Sequence, residues 1–157
     1  VVTEGERRSR TRKNYWSFWV DEGGRAHVGN LTEPRAGAQW AVAGFLGLMK
    51  DGKLLTDPSD SRHPRTALGL DKTGRHLTLV VVDGRQPGHS EGVSTHELAK
   101  LMAEFECWDA TNLDGGGSSV MVGRDEEGEV RILNRPSGPI GPRPLPVMLG
   151  VRRHKTP

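Results

Sequence analysis

The sequence predicts an α+β fold with a mainly β core and one clear, capped helix. Hydrophobic residues make up 34% of the 157 residues and aromatic residues 5%, while glycine (21) and proline (10) are frequent. A chain poor in apolar residues and rich in turn formers is typical of short strands joined by many loops. The predicted elements run as strands, one helix and then strands again, which indicates the same class.

Both ends of the chain are basic, although the net charge is only +2. Residues 1–13 are polar and carry five arginines and lysines, so we expect a flexible basic segment or one held by a partner. Nucleic-acid binding would need a continuous basic face, and few aromatic residues outside 14–20 are available for base stacking. We therefore expect no nucleic-acid partner.

The remaining bulk features concern covalent chemistry and targeting. Cys107 is the only cysteine, so an intrachain disulfide is impossible, and its apolar surroundings predict a buried, inert thiol. No signal peptide and no membrane-spanning apolar run occur. The chain opens on Val1, which fits a mature product, a proteolytic fragment or an arbitrary boundary equally well.

The first half of the chain predicts two hairpins. The β-prone run 14–20 and residues 25–28 flank a turn, and residues 65–70 and 76–82 flank a second turn at 71–74. Residues 77–82 (LTLVVV) are continuously apolar or β-branched, which predicts a central, buried strand. Between the hairpins, the apolar stretch 39–48 leads to a turn at 50–53 and a surface loop at 56–64.

The run 14–20 (NYWSFWV) carries large rings at neighbouring positions. Alternation in a strand sends Tyr15 and Ser17 to one face and Trp16 and Phe18 to the other. Both faces therefore present rings and need cover.

One helix is predicted after residue 93. Ser94 and Glu97 have the spacing of a capping box, in which the hydroxyl accepts from the Glu97 amide and the carboxylate accepts from the Ser94 amide. Helical spacing predicts one buried face, formed by Leu98, Leu101, Met102 and Phe105. Short strands are then expected at 110–113, 119–122, 130–133 and 145–151, with a Pro/Gly loop at 136–146.

The stretch DGGGSS at residues 114–119 is the most informative in the chain. Three glycines between apolar strands cost conformational entropy, and a plain hairpin needs only two turn residues. Without Cβ atoms the amide N–H groups can converge on an anion, and Asp114, Ser118 and Ser119 add a carboxylate and two hydroxyls. The Gly-Lys-Ser/Thr ending of a nucleotide P-loop is missing. The loop predicts an anion site, with a simple glycine-rich turn as the alternative.

Three polar clusters adjoin predicted strands and add to this site. HPRT at 63–66 precedes one strand, Asp83 and Arg85 follow another, and a third group contains Asn134 and Arg143. Charged residues at a strand end often bind ligands, and arginine suits bidentate contact with phosphate. The structural alternative for Asp83 and Arg85 is an Asp-Gly turn with a solvated arginine.

Several of these segments carry a family resemblance. The segments HPRTALGL (63–70), LTLVVVDGR (77–85), the capped helix, NLDGGGSSVMV (112–122) and NRPS (134–137) follow in this order. Together they closely resemble the phosphodiester glycosidase family over about residues 40–151. The resemblance implies a mixed α+β fold and hydrolysis of a sugar-1-phosphodiester to release the sugar. It also implies a secreted or extracytoplasmic setting.

The chain departs from the family in its N-terminal part. Members carry an Asn-Gly-Gly-Phe-Phe-like motif that helps to form the pocket, and no such motif precedes Gln39. We therefore expect residues 14–157 to be the C-terminal two thirds of the domain. On this hypothesis an N-terminal segment of the same precursor, cleaved but still bound, completes the sheet and the pocket.

The family chemistry implies roles for the candidate residues. Phosphate leaves readily from the anomeric carbon once its charge is neutralised, so the protein must stabilise an anion and position water. The groups expected to hold phosphate and substrate are Arg65, Thr66, Arg85, the amides of Gly115, Gly116 and Gly117, Ser118, Ser119, Asn134 and Arg143. Asp114 or Asp83 would activate water or stabilise the oxocarbenium ion, and the sequence leaves that choice open.

Other chemistries have weaker signals. Ser118 as a nucleophile lacks a histidine placed by sequence as its base. The histidines have no ligand-pair spacing and there is no cysteine pair, so zinc is not expected. Asp83 and Asp114 could share a calcium ion, and no other cofactor is predicted. The rival to catalysis is a glycan- or phosphoglycan-binding module of the same fold, but the intact carboxylates, Arg85 and both serines favour an enzyme.

Overall fold

The structure is a computed structural model that describes residues 1–10, 14–30, 37–59, 61–138 and 143–152. Within these ranges two five-stranded antiparallel sheets, one two-stranded hairpin and one α-helix are formed. The predicted α+β class with a mainly β core is confirmed. No helix in the described ranges is long and apolar enough to cross a membrane.

The first sheet is built from the N-terminal part of the chain. Its strands are β1 (Val2–Thr3), β2 (Glu6–Arg7), β3 (Trp16–Asp21), β4 (Ala26–Asn30) and β5 (Ala38–Ala43), in the order β2-β1-β5-β3-β4. The predicted first hairpin is β3–β4, with Phe18 opposite Val28.

The basic N-terminal segment, which its composition predicts to be flexible or held by a partner, contains β1 and β2. Residues 1–10 are described, and Val2 lies opposite Ala41 of β5 and opposite Arg7 of β2. Polar and charged side chains do not prevent pairing along the edge of a sheet, because the backbone supplies the hydrogen bonds and the side chains stay in solvent. Residues 11–13 lie outside the described ranges.

The second sheet carries the candidate site residues. Its strands are β6 (Leu46–Lys50), β7 (Lys53–Leu54), β8 (Arg65–Leu70), β9 (Leu77–Val82) and β10 (Asp109–Asn112), in the order β7-β6-β10-β8-β9. The predicted second hairpin is β8–β9, which is paired from Arg65–Val82 to Leu70–Leu77.

The prediction that residues 77–82 form the central strand is wrong. β9 lies at the edge of its sheet, its residues are half-buried and Leu79 is exposed. The centre is taken by β10, a short strand with the sequence DATN, which pairs with both β6 and β8. A continuous apolar run indicates that both faces of a strand are at least partly covered. It does not indicate whether the strand has hydrogen-bonded neighbours on both sides or on one side only.

The helix α1 (Thr95–Glu104) begins at the predicted capping box, with both of its hydrogen bonds formed. It packs on one face of the second sheet, where its buried residues Leu98 and Met102 meet Leu48 and Met49 of β6. The predicted apolar face is only partly confirmed. Phe105 is 53% exposed, and it is the C-cap residue, since the helix ends at Glu104.

A second core lies between the two sheets. Phe18 and Val28 of the first sheet pack against Leu68 and Leu70 of the second. On the outer face of β3, Trp19 is covered within its own sheet by Ala38, Ala41 and a stacked His27. Both faces of β3 carry rings as predicted, and the chain itself buries Phe18 and Trp19.

The C-terminal strands were predicted less well. Residues 119–122 lie mainly outside strands, since the 3₁₀ turn Gly116–Ser118 comes first and β11 begins at Val122 (Val122–Arg124). It pairs with β12 (Val130–Ile132). Residues 145–151 form no strand; prolines at 144 and 146 remove two backbone donors, and Leu149 packs against the core between the sheets instead. Residues 139–142 of the predicted loop lie outside the described ranges.

Candidate active site

The candidate residues meet at one end of the second sheet. β8 begins at this end with Arg65, and the antiparallel strands β9 and β10 end there. Asp83 and Arg85 therefore emerge beside residues 63–66, and the loop 114–119 follows β10 at the same edge. A Cβ on Gly84 would lie 2.7 Å from the Pro64 nitrogen, so the two segments are in direct contact.

Asp83 is a hydrogen-bond acceptor for three separate groups. Its Oδ1 accepts from Asn134 Nδ2 at 2.8 Å, its two oxygens accept from the Arg135 amide at 3.1 and 3.0 Å, and His89 Nε2 lies 3.0 Å from Oδ2. Asn134 extends the connection, since it also donates to the Ser119 carbonyl and accepts from the Met121 amide. Asp83 thus ties the end of β9 to the segment after the triglycine loop.

These contacts keep the Asp83 carboxylate ionised. Burial by itself raises the pKa of Asp83, but hydrogen bonds with His89, Asn134 and the Arg135 amide together outweigh that effect. The net result is a pKa below its usual value.

The triglycine loop uses two of its three amides within the chain. Gly115 N donates to Asp114 Oδ1 at 3.0 Å, and Gly116 N donates to the Pro64 carbonyl at 2.9 Å. The Gly115 and Gly116 amides are therefore occupied within the chain, where the loop forms a 3₁₀ turn. The anion site at this loop stays a prediction.

Gly117 differs from its two neighbours. Its N–H has no hydrogen-bond partner among the described residues, its φ lies outside the left-handed region and a Cβ there would meet nothing within 4 Å. The fold gives no reason for a glycine at this position. Gly116, by contrast, has a φ of +60°, and a Cβ there would press on the Arg85 guanidinium at 3.1 Å.

Arg65 and Arg85 bring two positive charges to this end of the sheet. Arg65 is half-buried and donates to the carbonyls of Val93 and Ser61, each at 3.2 Å. Burial first, and then the charge of Arg85, lower the pKa of Arg65. Arg85 is exposed and has a φ of +56°, with its Nη2 3.3 Å from His63 Nδ1.

The two serines bind different partners. Arg143 Nη2 donates to the buried Ser118 Oγ at 2.5 Å, and Thr66 Oγ1 donates to the buried Ser119 Oγ at 3.2 Å. No histidine or carboxylate contacts either hydroxyl among the described residues, so neither serine has the base that a nucleophile needs.

The three arginines have one property in common. Within the described part of the chain, no carboxylate forms an ion pair with Arg65, Arg85 or Arg143. Nearby cations without anionic partners favour an anionic ligand, because the ligand relieves their mutual repulsion.

Asp114 stands apart from Asp83 in its surroundings. It is exposed, its Oδ1 accepts only from the adjacent Gly115 amide, and its Oδ2 accepts from no group that the structure describes. One oxygen is therefore available to a water molecule or a ligand.

The described residues contain no cluster of potential metal ligands. Among the residues that the structure describes, no group of three or more His, Cys, Asp or Glu side chains is arranged to hold a metal ion. Both Asp83 oxygens already accept hydrogen bonds. Calcium shared between Asp83 and Asp114 stays a prediction.

One histidine and one backbone amide were missed as members of this site, and His63 was named with the HPRT cluster but given no role. His63 contacts Arg85, while His89 and the Arg135 amide contact Asp83. The predicted β8–β9 hairpin contains the signal for His63, because antiparallel pairing of Arg65 with Val82 brings residues 63–64 beside 83–84. Nothing in local spacing indicates the amide of Arg135, which comes from a distant segment.

Comparison with known proteins agrees with this architecture. The family model described as phosphodiester glycosidase matches residues 1–152. In sequence, the chain is 35% identical over 89 residues to the SPbeta prophage-derived uncharacterized protein YomE of Bacillus subtilis, covering 53% of this chain and 14% of that protein. It is 40% identical over 58 residues to the N-acetylglucosamine-1-phosphodiester alpha-N-acetylglucosaminidase of Bos taurus, covering 37% of this chain and 10% of that protein.

Solved structures share the fold. The zebrafish N-acetylglucosamine-1-phosphodiester alpha-N-acetylglucosaminidase catalytic domain, auto-inhibited by its pro-peptide, superposes with a TM-score of 0.67 at 25% identity. The match covers 87% of this chain and 50% of that one. A putative exported protein from Burkholderia pseudomallei has a TM-score of 0.52 at 21% identity, covering 84% of this chain and 38% of that one. The chain thus spans half the length of the zebrafish chain that it matches.

Proposed function

The chain belongs to the phosphodiester glycosidase family, and from this premise we propose that it hydrolyses a glycosyl phosphodiester and releases the sugar. The observation that carries the proposal is the group of Arg65, Arg85 and Arg143 around the loop 114–119, with no carboxylate paired to any of them in the described ranges. A phosphodiester carries a negative charge, which would balance the positive charges of these arginines.

The phosphate is proposed to lie beside Arg85 and Gly117. Arg85 presents an exposed planar guanidinium, which suits two phosphate oxygens at once. The Gly117 N–H has no acceptor among the described residues, and a Cβ on Gly117 would meet nothing within 4 Å. Four residues support the proposed phosphate position from the buried side: Arg65, Thr66, Asn134 and Ser119. Another edge of the phosphate site is formed by Arg143 and Ser118.

Asp114 is the better candidate for the reacting carboxylate. Its unpaired oxygen can accept a proton from water, whereas the Asp83 oxygens are occupied by three donor groups. Asp83 is therefore assigned a positioning role, in which it holds Asn134 and the segment around Ser119 against the end of β9.

The proposed reaction breaks the bond between the anomeric carbon and the phosphate oxygen. The water oxygen forms the new bond to the anomeric carbon and its proton passes to Asp114. The electron pair of the broken bond leaves with the phosphate, which the arginines stabilise. The proton on Asp114 is then released to the leaving phosphate or to solvent.

Isotope labelling tests both the activity and the bond that breaks. The chain would be incubated with a panel of sugar-1-phosphodiesters in ¹⁸O-water, and the phosphomonoester product would be analysed by mass spectrometry. Cleavage at the anomeric carbon leaves that product unlabelled, whereas attack at phosphorus places ¹⁸O in it. Labelled phosphomonoester, or no turnover of any substrate even when the chain is co-expressed with an upstream segment of its precursor, would contradict the proposal.

A phosphoglycan-binding module of the same fold is the second candidate. The arginine group supports it equally, because binding needs the anion site but no proton acceptor. Saturable binding of the same phosphodiesters by calorimetry, without hydrolysis, would favour the module. A secreted or extracytoplasmic setting stays a prediction from the family resemblance.

A further inference from the structure

A cavity lies at the opposite end of the sheets from the candidate active site. It has a volume of about 220 Å³ and opens between the β3–β4 turn and the β8–β9 turn. The active site adjoins the first residue of β8 and this cavity the last, so roughly 17 Å separates them at a rise of about 3.3 Å per residue. No residue of the proposed active site lines the cavity.

The two carboxylates in its wall are already satisfied by the protein. Asp71 accepts from the amides of Arg75 and His76 with one oxygen and from Thr73 with the other. Asp109 accepts from the Asp51 amide and from Lys50 Nζ, each at 2.9 Å. Lys50 neutralises Asp109, whereas the amides and the hydroxyl bound to Asp71 are uncharged, so Asp71 keeps its negative charge. The three cations and two carboxylates of the lining, Arg25, Lys50, Lys72, Asp71 and Asp109, leave a net charge of +1.

Two other cations in the wall have no such partner. Among the described residues, no carboxylate pairs with Lys72 or with the guanidinium of Arg25, and both side chains are exposed. They belong to two turns that touch, since a Cβ on Gly74 would lie 3.7 Å from the Ala26 carbonyl. The two charges thus flank one opening and favour an anion there.

An aromatic wall completes the cavity. Trp108 is half-buried and lines it, and Lys72 Nζ lies 4.7 Å from the centre of its ring. Trp19, which stacks on His27, also contributes to the lining. A flat ring beside a cation suits a ligand with an apolar face and a charged group, such as a sugar that carries an anion.

We propose that this cavity is a second binding site, for a monosaccharide-sized anion. Its phosphate or carboxylate lies between Arg25 and Lys72, and its ring packs on Trp108. The ligand replaces the contact of Lys72 with Trp108 by a charged pair with Lys72. This site is separate from the proposed hydrolysis and does not depend on it.

Titrations observed at the Trp108 indole N–H by NMR test the proposal, with Trp108→Phe used to assign the resonance. The probes are glucose 6-phosphate, glucuronate and glucose. We expect at least one of the two anions to shift the resonance saturably, and glucose to bind at least about tenfold more weakly. The stronger anion identifies the preferred group. No shift with either anion, or equal binding of glucose, would overturn the proposal.

Matched variants locate the binding. Lys72→Gln and Arg25→Gln should each weaken the anion by about tenfold, because each removes one charge. Arg75→Gln removes an exposed charge from the same turn that does not line the cavity, so it should change nothing. Arg85→Gln, which removes one charge at the candidate active site, should also leave the titration unchanged. Equal losses in all four variants would reduce the effect to general electrostatics and contradict a built site.

Discussion

Asp83 and Asp114 are carboxylates at the same end of one sheet, but their hydrogen-bond partners differ. Asp83 is held by Asn134, His89 and a backbone amide, and its side chain is 17% exposed. Asp114 is exposed and uses one oxygen for the next amide in the chain. A carboxylate that accepts a proton from water needs an oxygen that accepts no other hydrogen bond. A carboxylate that positions neighbouring residues does so through hydrogen bonds to both of its oxygens.

At this scale the first prediction concerns Asp114. Asp114→Asn should reduce turnover by at least about 10²-fold, because the amide cannot accept the proton of water at neutral pH. Its thermal stability should stay near that of the wild type, since the side chain is exposed and its one accepted bond survives. Steady-state kinetics and thermal melting check the two parts. Turnover within a few-fold of wild type would end the assigned role.

Gly117 provides the second test. Gly117→Ala should fold normally and gain up to about 1 kcal/mol in stability, because its backbone conformation suits alanine. We expect KM for a phosphodiester to rise about tenfold, which corresponds to about 1.4 kcal/mol, as the methyl group enters the space where phosphate approaches.

The matched control is Gly150→Ala, since Gly150 also has open space and a φ outside the left-handed region. An unchanged KM in Gly117→Ala would show that the loop serves as a turn only. Gly116 is unsuitable for this comparison, because its positive φ strains any side chain.

At the scale of elements, Asp83 joins the end of β9 to the segment that carries Asn134. The folded-state pKa of Asp83 is depressed, so its stabilising contribution is present above the unfolded value near 4 and is lost as pH falls through the lower folded value. Asp83→Asn should therefore be less stable than wild type at neutral pH. The difference in free energy of unfolding should narrow below about pH 4, as measured by urea denaturation at several pH values. A difference independent of pH would contradict this account.

The capping box of α1 supports a second prediction at this scale. Ser94 Oγ accepts from the Glu97 amide at 3.1 Å, and the Glu97 carboxylate accepts from the Ser94 amide at 2.8 Å. Ser94→Ala should lower the free energy of unfolding by about 0.5–2 kcal/mol, because it leaves the Glu97 amide without its acceptor. Ser94→Gly, a better tolerated cap, should cost less, and chemical denaturation measures both. Equal losses in the two variants would argue against the cap.

For the whole molecule, the question is whether the chain is self-sufficient. The rings of Phe18 and Trp19 are buried within the chain, so they supply no reason for an external partner. The exposed apolar side chains lie elsewhere, including Val130 (62%), Leu133 (61%) and Met148 (81%). Val130 lies in β12 and Leu133 directly follows it, and exposed apolar side chains on a strand favour association.

We accordingly expect residues 1–157 alone to be aggregation-prone or inactive, and co-expression with an upstream segment of the same precursor to restore solubility and hydrolysis. Light scattering and sugar release measure the two properties, and Met148→Lys should reduce aggregation without restoring activity. The upstream partner stays a prediction. A monodisperse, cooperatively melting and fully active monomer of 17.2 kDa would contradict it.

Features that depend on near neighbours could be predicted from the sequence. The two hairpins, the capping box at Ser94 and the ends of β8 and β9 depend on hydrogen bonds and alternation between residues fewer than about twenty positions apart. The clusters around Arg65, Arg85 and residues 114–119 were also recognised, because unusual residue types stood at strand ends. These signals were enough to indicate the fold class and the family.

What only the tertiary structure decided is how backbone donors and acceptors pair across distant segments. In the structure β9 lies at the edge of its sheet, although its apolar sequence predicted the centre. The Gly116 amide donates to the Pro64 carbonyl, a pairing that the sequence did not indicate. The surroundings of Asp83 and Asp114 also differ, because Asp83 accepts a hydrogen bond from Asn134, which lies fifty-one positions further along the chain. Propensity and spacing describe what a residue can do locally. The partner that satisfies each polar group depends on which segments the packed core brings together.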